Sequence, residues 1–449
     1  MVGVIATGSE MKRDLEKEGR PMKSMKRFAF PSMRNLALVL LLALVPGGRC
    51  VAQGQTNPGP WQNLFDGKTL TGWVNPYEWG KAWVEDGEIR LQADKKFFLA
   101  TEKPYRDFIF EAQIKMPEGK SNSGFMFRCH QRLNRVYGYQ AEVDPSDRQW
   151  SGGLYDEGRR GWLHPRSDDA ESGKAFVAAT KGAFKRDDWN TYRIHCVGDS
   201  LRIYLNGVLT TDYIDATDRQ GYLAIQHHGE QGKVYRFRNL RVRELKAPPA
   251  LAGTMKDLPL VFFDDFESGA GRWTQTDSNA WKIVAEDDNH VYAQFQRSQY
   301  EPPVRSPYNM ARVKGVNVSD FVLQARMKQT GKEYGHRDMC LFFGYQDPAH
   351  FYYVHIATKA DPHANSIFLV NGAPRVSIAQ ERTDGTDWAT GYHDVRIVRD
   401  AQAGTIEVFF DDMDRPIMKT VDKTFGAGEV GFGSFDDTGH IDDVIVWGK

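Results

Sequence analysis

From residue 53 onward, apolar and polar positions alternate in short runs of period two, and the 3.6-residue period of an amphipathic helix is hard to find. Successive side chains of a strand point to opposite faces of a sheet, so this alternation predicts strands with one buried and one polar face. Asp107-Phe108-Ile109-Phe110-Glu111-Ala112-Gln113-Ile114-Lys115-Met116 is the clearest case, and Asp320-Phe321-Val322-Leu323-Gln324-Ala325-Arg326-Met327 repeats it later. Asp86-Gly87 and Asn206-Gly207, each beside a strand-like run, are turns of the hairpin type. Short strands at regular spacing with Gly, Asn and Asp turns predict an all-β protein.

The 449 residues are too many for one ordinary core. Two stretches share a plan: Phe65-Asp66 with Gly72-Trp73 and then Trp83, against Phe263-Asp264 with Arg272-Trp273 and then Trp281. Between them, Ala247-Pro248-Pro249-Ala250-Leu251-Ala252-Gly253 has the composition of a linker. The expected organisation is two jelly-roll β-sandwiches in tandem, at 61–246 and 259–449, joined by 247–258.

The one long apolar run, Leu36 to Val45, falls short of the roughly 20 residues that cross a bilayer. Lys23, Lys26, Arg27 and Arg34 precede it, Pro46 breaks it, and Cys50-Val51-Ala52 offers a small-residue cleavage site before Gln53. Residues 1–52 therefore read as a misassigned start followed by a signal peptide, and the mature chain is expected to be secreted or periplasmic. A lipid anchor on Cys50 is the rival reading, against which Arg49 stands where a small residue is needed. Cleavage leaves Cys129, Cys196 and Cys340, expected as three separate buried thiols unless the first two pair. With 58 basic against 59 acidic residues, the chain has no bulk charge to hold nucleic acid, and a neutral or weakly charged ligand fits better.

Candidate chemistry collects on one strand face. Tyr137, Tyr139, Ala141 and Val143 form an apolar row, which sends Gln140, Glu142 and Asp144 to the other side. The same rule puts Tyr222, Gln226 and His228 opposite Leu223 and Ile225, and Gly124, Met126 and Arg128 opposite Phe125 and Phe127. If these rows meet, two carboxylates, two amides, an imidazole and a guanidinium share a face. Trp150, Tyr155, Trp162 and Tyr222 would then supply flat apolar surface for a sugar ring. The plainer reading is a solvent-facing polar strand surface, which every sandwich has.

At these residues the chain resembles the 3-keto-disaccharide hydrolase domain. The shared stretches are Phe65 to Leu70 with Gly72-Trp73, Ser123 to Arg128, Gly138 to Asp144, Gly152-Gly153-Leu154-Tyr155, Trp189 to Ile194, Leu205-Asn206-Gly207, and Gly221 to Gly229 with Phe237 to Leu240. The resemblance implies a concanavalin A-like sandwich that cleaves glycosides oxidised to a ketone at carbon 3. It also implies pocket positions at Arg128, Glu142, Asp144 and His228. His227 stands where many members carry an acid, so a role for that acid does not carry over.

The ketone acidifies the carbon-2 proton, so a base can remove it, the enolate can expel the anomeric group, and water can add to the enone. On this reading His228 or Glu142 is the base, Arg128 steadies the enolate oxygen, and Asp144 orients the imidazole or binds hydroxyls. Gln140 and Gln226 join the substrate contacts. Ordinary hydrolysis by Glu142 and Asp144, about 7 Å apart along a strand, is a second route. A lectin-like binder without turnover, or an exported adhesion protein, are readings of other classes.

In the second half acids gather at both ends, and Asp265, Glu267, Asp442 and Asp443 are expected to hold a structural calcium ion if first and last strands are neighbours. The pattern resembles carbohydrate-binding and laminin-G-like sandwiches; turn-forming aspartates without a metal are the alternative. Tyr345, Tyr352, Tyr353, His355 and Trp388 are candidates for a sugar-binding face. No organic cofactor is expected, and no catalytic set stands out in this half.

Overall fold

The computed structural model describes residues 59–449 except Lys246, Asp288 and Thr390; the expected leader peptide lies outside the described residues. Four antiparallel sheets of eight, seven, nine and seven strands form two sandwiches. No described helix is long and apolar enough to cross a membrane.

The first sandwich is built on the alternation that opens the sequence. In Phe108–Lys115, Phe108, Phe110, Ala112 and Ile114 turn inward against Phe125, Tyr139 and Ile225 of the facing sheet. Glu111, on the outer side of the same strand, accepts from Arg193 and Arg241 on the two flanking strands. The facing sheet carries the candidate site. Its strands in chain order are β1 (Trp73–Val74), β2 (Phe97–Thr101), β3 (Ser123–Arg132), β4 (Arg135–Val143), β5 (Leu154–Glu157), β6 (Gly161–His164) and β7 (Tyr222–His227). In space they run β6-β5-β4-β3-β7-β2-β1. Helix α1 (Ala170–Ala179), capped by the Asp169 carboxylate, follows β6.

The second sandwich encloses Phe262, Trp273, Tyr292, Leu323 and Phe432. Val197 and Leu245 of the first sandwich share an apolar cluster with Met255, Leu260, Phe263, Val322 and Trp447, and linker residues Leu251 and Leu258 pack into it. The linker is thus part of a seam. Cys129, Cys196 and Cys340 are free, buried thiols, as expected.

The acids expected to hold calcium have protein partners here, two of them across the seam. Asp265 lies 3.8 Å from both Arg202 and His195 of the first sandwich, and Glu267 lies 3.6 Å from Arg243 and accepts from the His290 amide. Asp442 accepts from Asn289, and Asp443 from Arg326. Among the described residues, no three of these four carboxylates bring ligand oxygens within 4.8 Å of one another. Two of the acids face arginines of the first sandwich, partners that a reading of the second half alone does not contain. Burial pushes Asp265 up to about 7, so its ion pair with Arg202 is only part-formed near neutral pH.

Candidate functional site

Strands β3, β4 and β7 place the site residues by register. Gln140 lies opposite Met126 on β3 and Tyr155 on β5, and Glu142 lies opposite Gly124. Gly124 is small for a reason: a Cβ there would sit 2.4 Å from Cδ of Gln140, whose side chain lies across it. Gln226, one strand further on, is buried.

Glu142 is 4% exposed. Asn122 and Gln140 donate to its two oxygens at 2.7 and 2.8 Å, and the Arg148 guanidinium approaches to 3.8 Å. Burial holds its carboxyl above the ordinary glutamate range, and the two amide donors oppose that rise only in part. Asp144 accepts from Arg148 Nε at 2.7 Å and from the Ser146 amide at 3.1 Å. Arg148 in turn lies 4.9 and 4.7 Å from the ring centres of Trp150 and Trp162, and Tyr155 meets Trp162 edge-on at 5.2 Å. An acid, a cation and three aromatic rings therefore adjoin one another.

His228, with its side chain 49% exposed, contacts Glu230 Oε1 through Nδ1 at 3.0 Å. That contact raises its pKa. Glu230 Oε2 accepts from Tyr235, whose oxygen accepts the Asn122 amide, and Asn122 donates to Glu142. Asn122 thus links the two ends, its backbone N–H reaching toward His228 through Tyr235 and Glu230, and its side-chain amide reaching Glu142. His227 faces away: its ring bridges the Lys233 carbonyl and the Gly229 amide, a role in holding the loop.

Gln140 Oε1 and Gln226 Oε1 are buried and accept no hydrogen bond among the described residues. Buried amide oxygens are rarely left so.

Two expected members stand elsewhere. Arg128 does not join the row of Glu142, because β3 carries an extra residue between Phe127 and His130 and Arg128 adopts a φ of 45°. Its side chain is 0% exposed and donates to the carbonyls of Arg106 and Gly198 and to Asp107. Gly221 is needed here, since a Cβ would lie 2.4 Å from the Arg128 backbone. Tyr222 packs on an apolar patch of Phe98, Ala100, Met126 and Ala224, about 13 Å along β7 from Gln226. Nor does Asp144 orient an imidazole; Glu230 does. A concavity of about 710 Å³ lies beside Trp150, lined also by Gln149, Arg166, Asp169, Lys174 and Lys181. Of its lining residues only Trp150 also belongs to the Glu142 and His228 face, and the site is that open sheet face.

Arg148, Glu230 and Asn122 were not legible as site residues. Arg148 follows Asp144 by four and Glu230 follows His228 by two, but both lie more than one residue past a strand end, where alternation stops assigning sides.

Residues 60–243 match the family described as the 3-keto-alpha-glucoside-1,2-lyase-like domain. No curated protein matches the chain. Among solved structures, a candidate glycosyl hydrolase from Parabacteroides distasonis is 18% identical with a TM-score of 0.32, over 42% of this chain and 94% of that one. The carbohydrate-binding module CBM66 from Bacillus subtilis is also 18% identical, with a TM-score of 0.30, over 38% and 94%. The tandem CBM22 domains of Paenibacillus barcinonensis Xyn10C are 9% identical with a TM-score of 0.31, over 88% and 98%.

Proposed function

We propose that the 3-keto-alpha-glucoside-1,2-lyase-like domain at residues 60–243 cleaves glycosides carrying a ketone at carbon 3, by elimination followed by addition of water. His228 Nε2 takes the proton from carbon 2, and the electron pair of that C–H bond delocalises onto the carbon-3 oxygen as an enolate. Collapse of the enolate breaks the bond from carbon 1 to the leaving oxygen and leaves an enone; Glu142 protonates the departing oxygen. Water then adds across the enone, hydroxyl to carbon 1 and proton to carbon 2, restoring the keto-sugar.

Each role follows from surroundings. Glu230 holds the Nδ1 proton, so Nε2 carries the lone pair, as a base requires. Burial keeps Glu142 protonated to higher pH than an ordinary glutamate, which suits an acid. Arg148, fixed by Asp144 and the two tryptophans, steadies the enolate oxygen in the place first assigned to Arg128. Trp150, Trp162 and Tyr155 give the sugar ring its wall, and Gln140 and Gln226 accept its hydroxyls. The link between His228 and Glu142 through Asn122 is the observation that carries the reading. The leader-like residues before Gln53 support export, and the seam supports the second sandwich as a brace.

A 3-keto-disaccharide and its unoxidised parent, assayed side by side in heavy water, test the route. Only the oxidised sugar should be cleaved, with deuterium entering at carbon 2. Equal cleavage of the parent overturns elimination, and binding without turnover leaves a lectin.

The pH dependence has a definite form. His228 acts only when neutral and Glu142 only when protonated, so kcat/KM traces a bell in pH; the midpoint that belongs to His228 lies above the ordinary 6.5, and Glu230 is the main cause of the raised value. In Glu230→Gln that midpoint moves down toward 6.5 and the maximum falls, the base being weaker. A pH-rate profile with an unmoved midpoint would remove Glu230 from this role.

A further inference from the structure

The second sandwich carries its own polar cluster at the corresponding place. Label β8 (Asp338–Asp347) and β9 (His350–Ala357), an antiparallel pair like β3 and β4. Cys340 lies opposite His355 as Gly124 lies opposite Glu142, and Asp338, two residues before Cys340, shares its face.

We propose that Asp338, Cys340 and His355 form a zinc site. The Cys340 thiol reaches Asp338 Oδ2 at 3.0 Å, and His355 Nε2 lies 3.4 Å from the same oxygen. One donor atom from each residue falls within 4.8 Å of the other two, and all three residues are buried. Tetrahedral zinc, with bonds of about 2.0–2.3 Å, holds its ligand atoms at separations close to these.

Three other readings fit less well. An inert core would fill this place with apolar side chains, because three ionisable groups are costly to bury. A cysteine nucleophile needs its imidazole beside the sulfur, whereas here the carboxylate lies between sulfur and ring. Calcium and magnesium take oxygen, and sulfur with nitrogen selects a softer ion.

Charge and support agree with zinc. Thiolate, carboxylate and neutral imidazole sum to two negative charges, the complement of a divalent cation. Asp437 accepts from the Asp338 amide at 2.9 Å and from the Tyr334 hydroxyl at 2.8 Å, which fixes the strand start that carries the first ligand. Three protein ligands leave a fourth position open.

The test uses the full chain, stripped with a chelator and titrated with cobalt(II), then zinc(II). The expected result is one equivalent of cobalt bound, with a thiolate-to-cobalt charge-transfer band that zinc abolishes. Cys340→Ser should lose the band, and a Cys129→Ser, Cys196→Ser double variant should keep it. His355→Gln should weaken zinc binding at least about tenfold. If Cys340→Ser does not fold, zinc-edge X-ray absorption on the unaltered chain decides, with one sulfur near 2.3 Å expected beside nitrogen and oxygen. Failure of the unaltered chain to take up a stoichiometric ion, a band that persists in Cys340→Ser, or a zinc shell without sulfur each overturns the proposal. None of these readouts depends on turnover of a glycoside.

Discussion

Glu142→Gln lowers kcat on a 3-keto-glycoside by about 10²- to 10⁴-fold, the usual worth of a positioned general acid, while KM stays within a few-fold. Glutamine keeps the size and polarity of the side chain, so the tryptophan wall and the Gln140 and Gln226 acceptors still hold the sugar. What it lacks is the proton that the leaving oxygen must receive. The loss should be smallest for substrates whose leaving group departs readily as an anion, such as aryl glycosides, because those depend least on the acid. Steady-state kinetics on one aryl and one alkyl 3-keto-glycoside read both effects. Wild-type kcat in the variant, or an equal loss on the two substrates, would take Glu142 out of the acid role.

Two arginines should give opposite results. Arg128→Ala is expected to destabilise the fold by about 3–5 kcal/mol, because it removes one partner of a buried pair, leaves the Asp107 carboxylate without its buried cation and leaves the Arg106 and Gly198 carbonyls without this donor. Arg148→Ala should melt close to the unaltered chain, since its guanidinium is 41% exposed and its ion pairs are partly screened. Its turnover should nevertheless fall about 10²- to 10³-fold, as when a stabilising donor is removed from a developing oxyanion. Urea denaturation and kcat on the two variants separate them. A well-folded Arg128→Ala with lost turnover would return that guanidinium to the site.

Much of the site was legible because strand alternation assigns sides without knowledge of the fold. Gln140, Glu142 and Gln226 fall on one face by counting alone, and the structure brings them there. Counting fails where a strand takes an extra residue. Arg128 has the right parity, but the bulge after Phe127 turns its side chain from the sheet face into the interior. Alternation is equally silent more than one residue past a strand end, which separates Arg148 and Glu230 from Asp144 and His228, each the first residue after its strand. Local reading has a third limit: Asp265 and Glu267 look like acids of their own half, and their arginine partners belong to the other.

By itself, then, the order of residues determined the all-β class, the tandem plan, the apolar rows that become two cores, and the family model that residues 60–243 match, all of which depend on local periodicity and short motifs. Only the tertiary structure decided which cation lies beside Glu142, which carboxylate contacts His228, and which groups the acids of the second half meet. Those choices rest on contacts between residues far apart in the chain, made after bulges and loops have redirected side chains, and no local pattern encodes such distances.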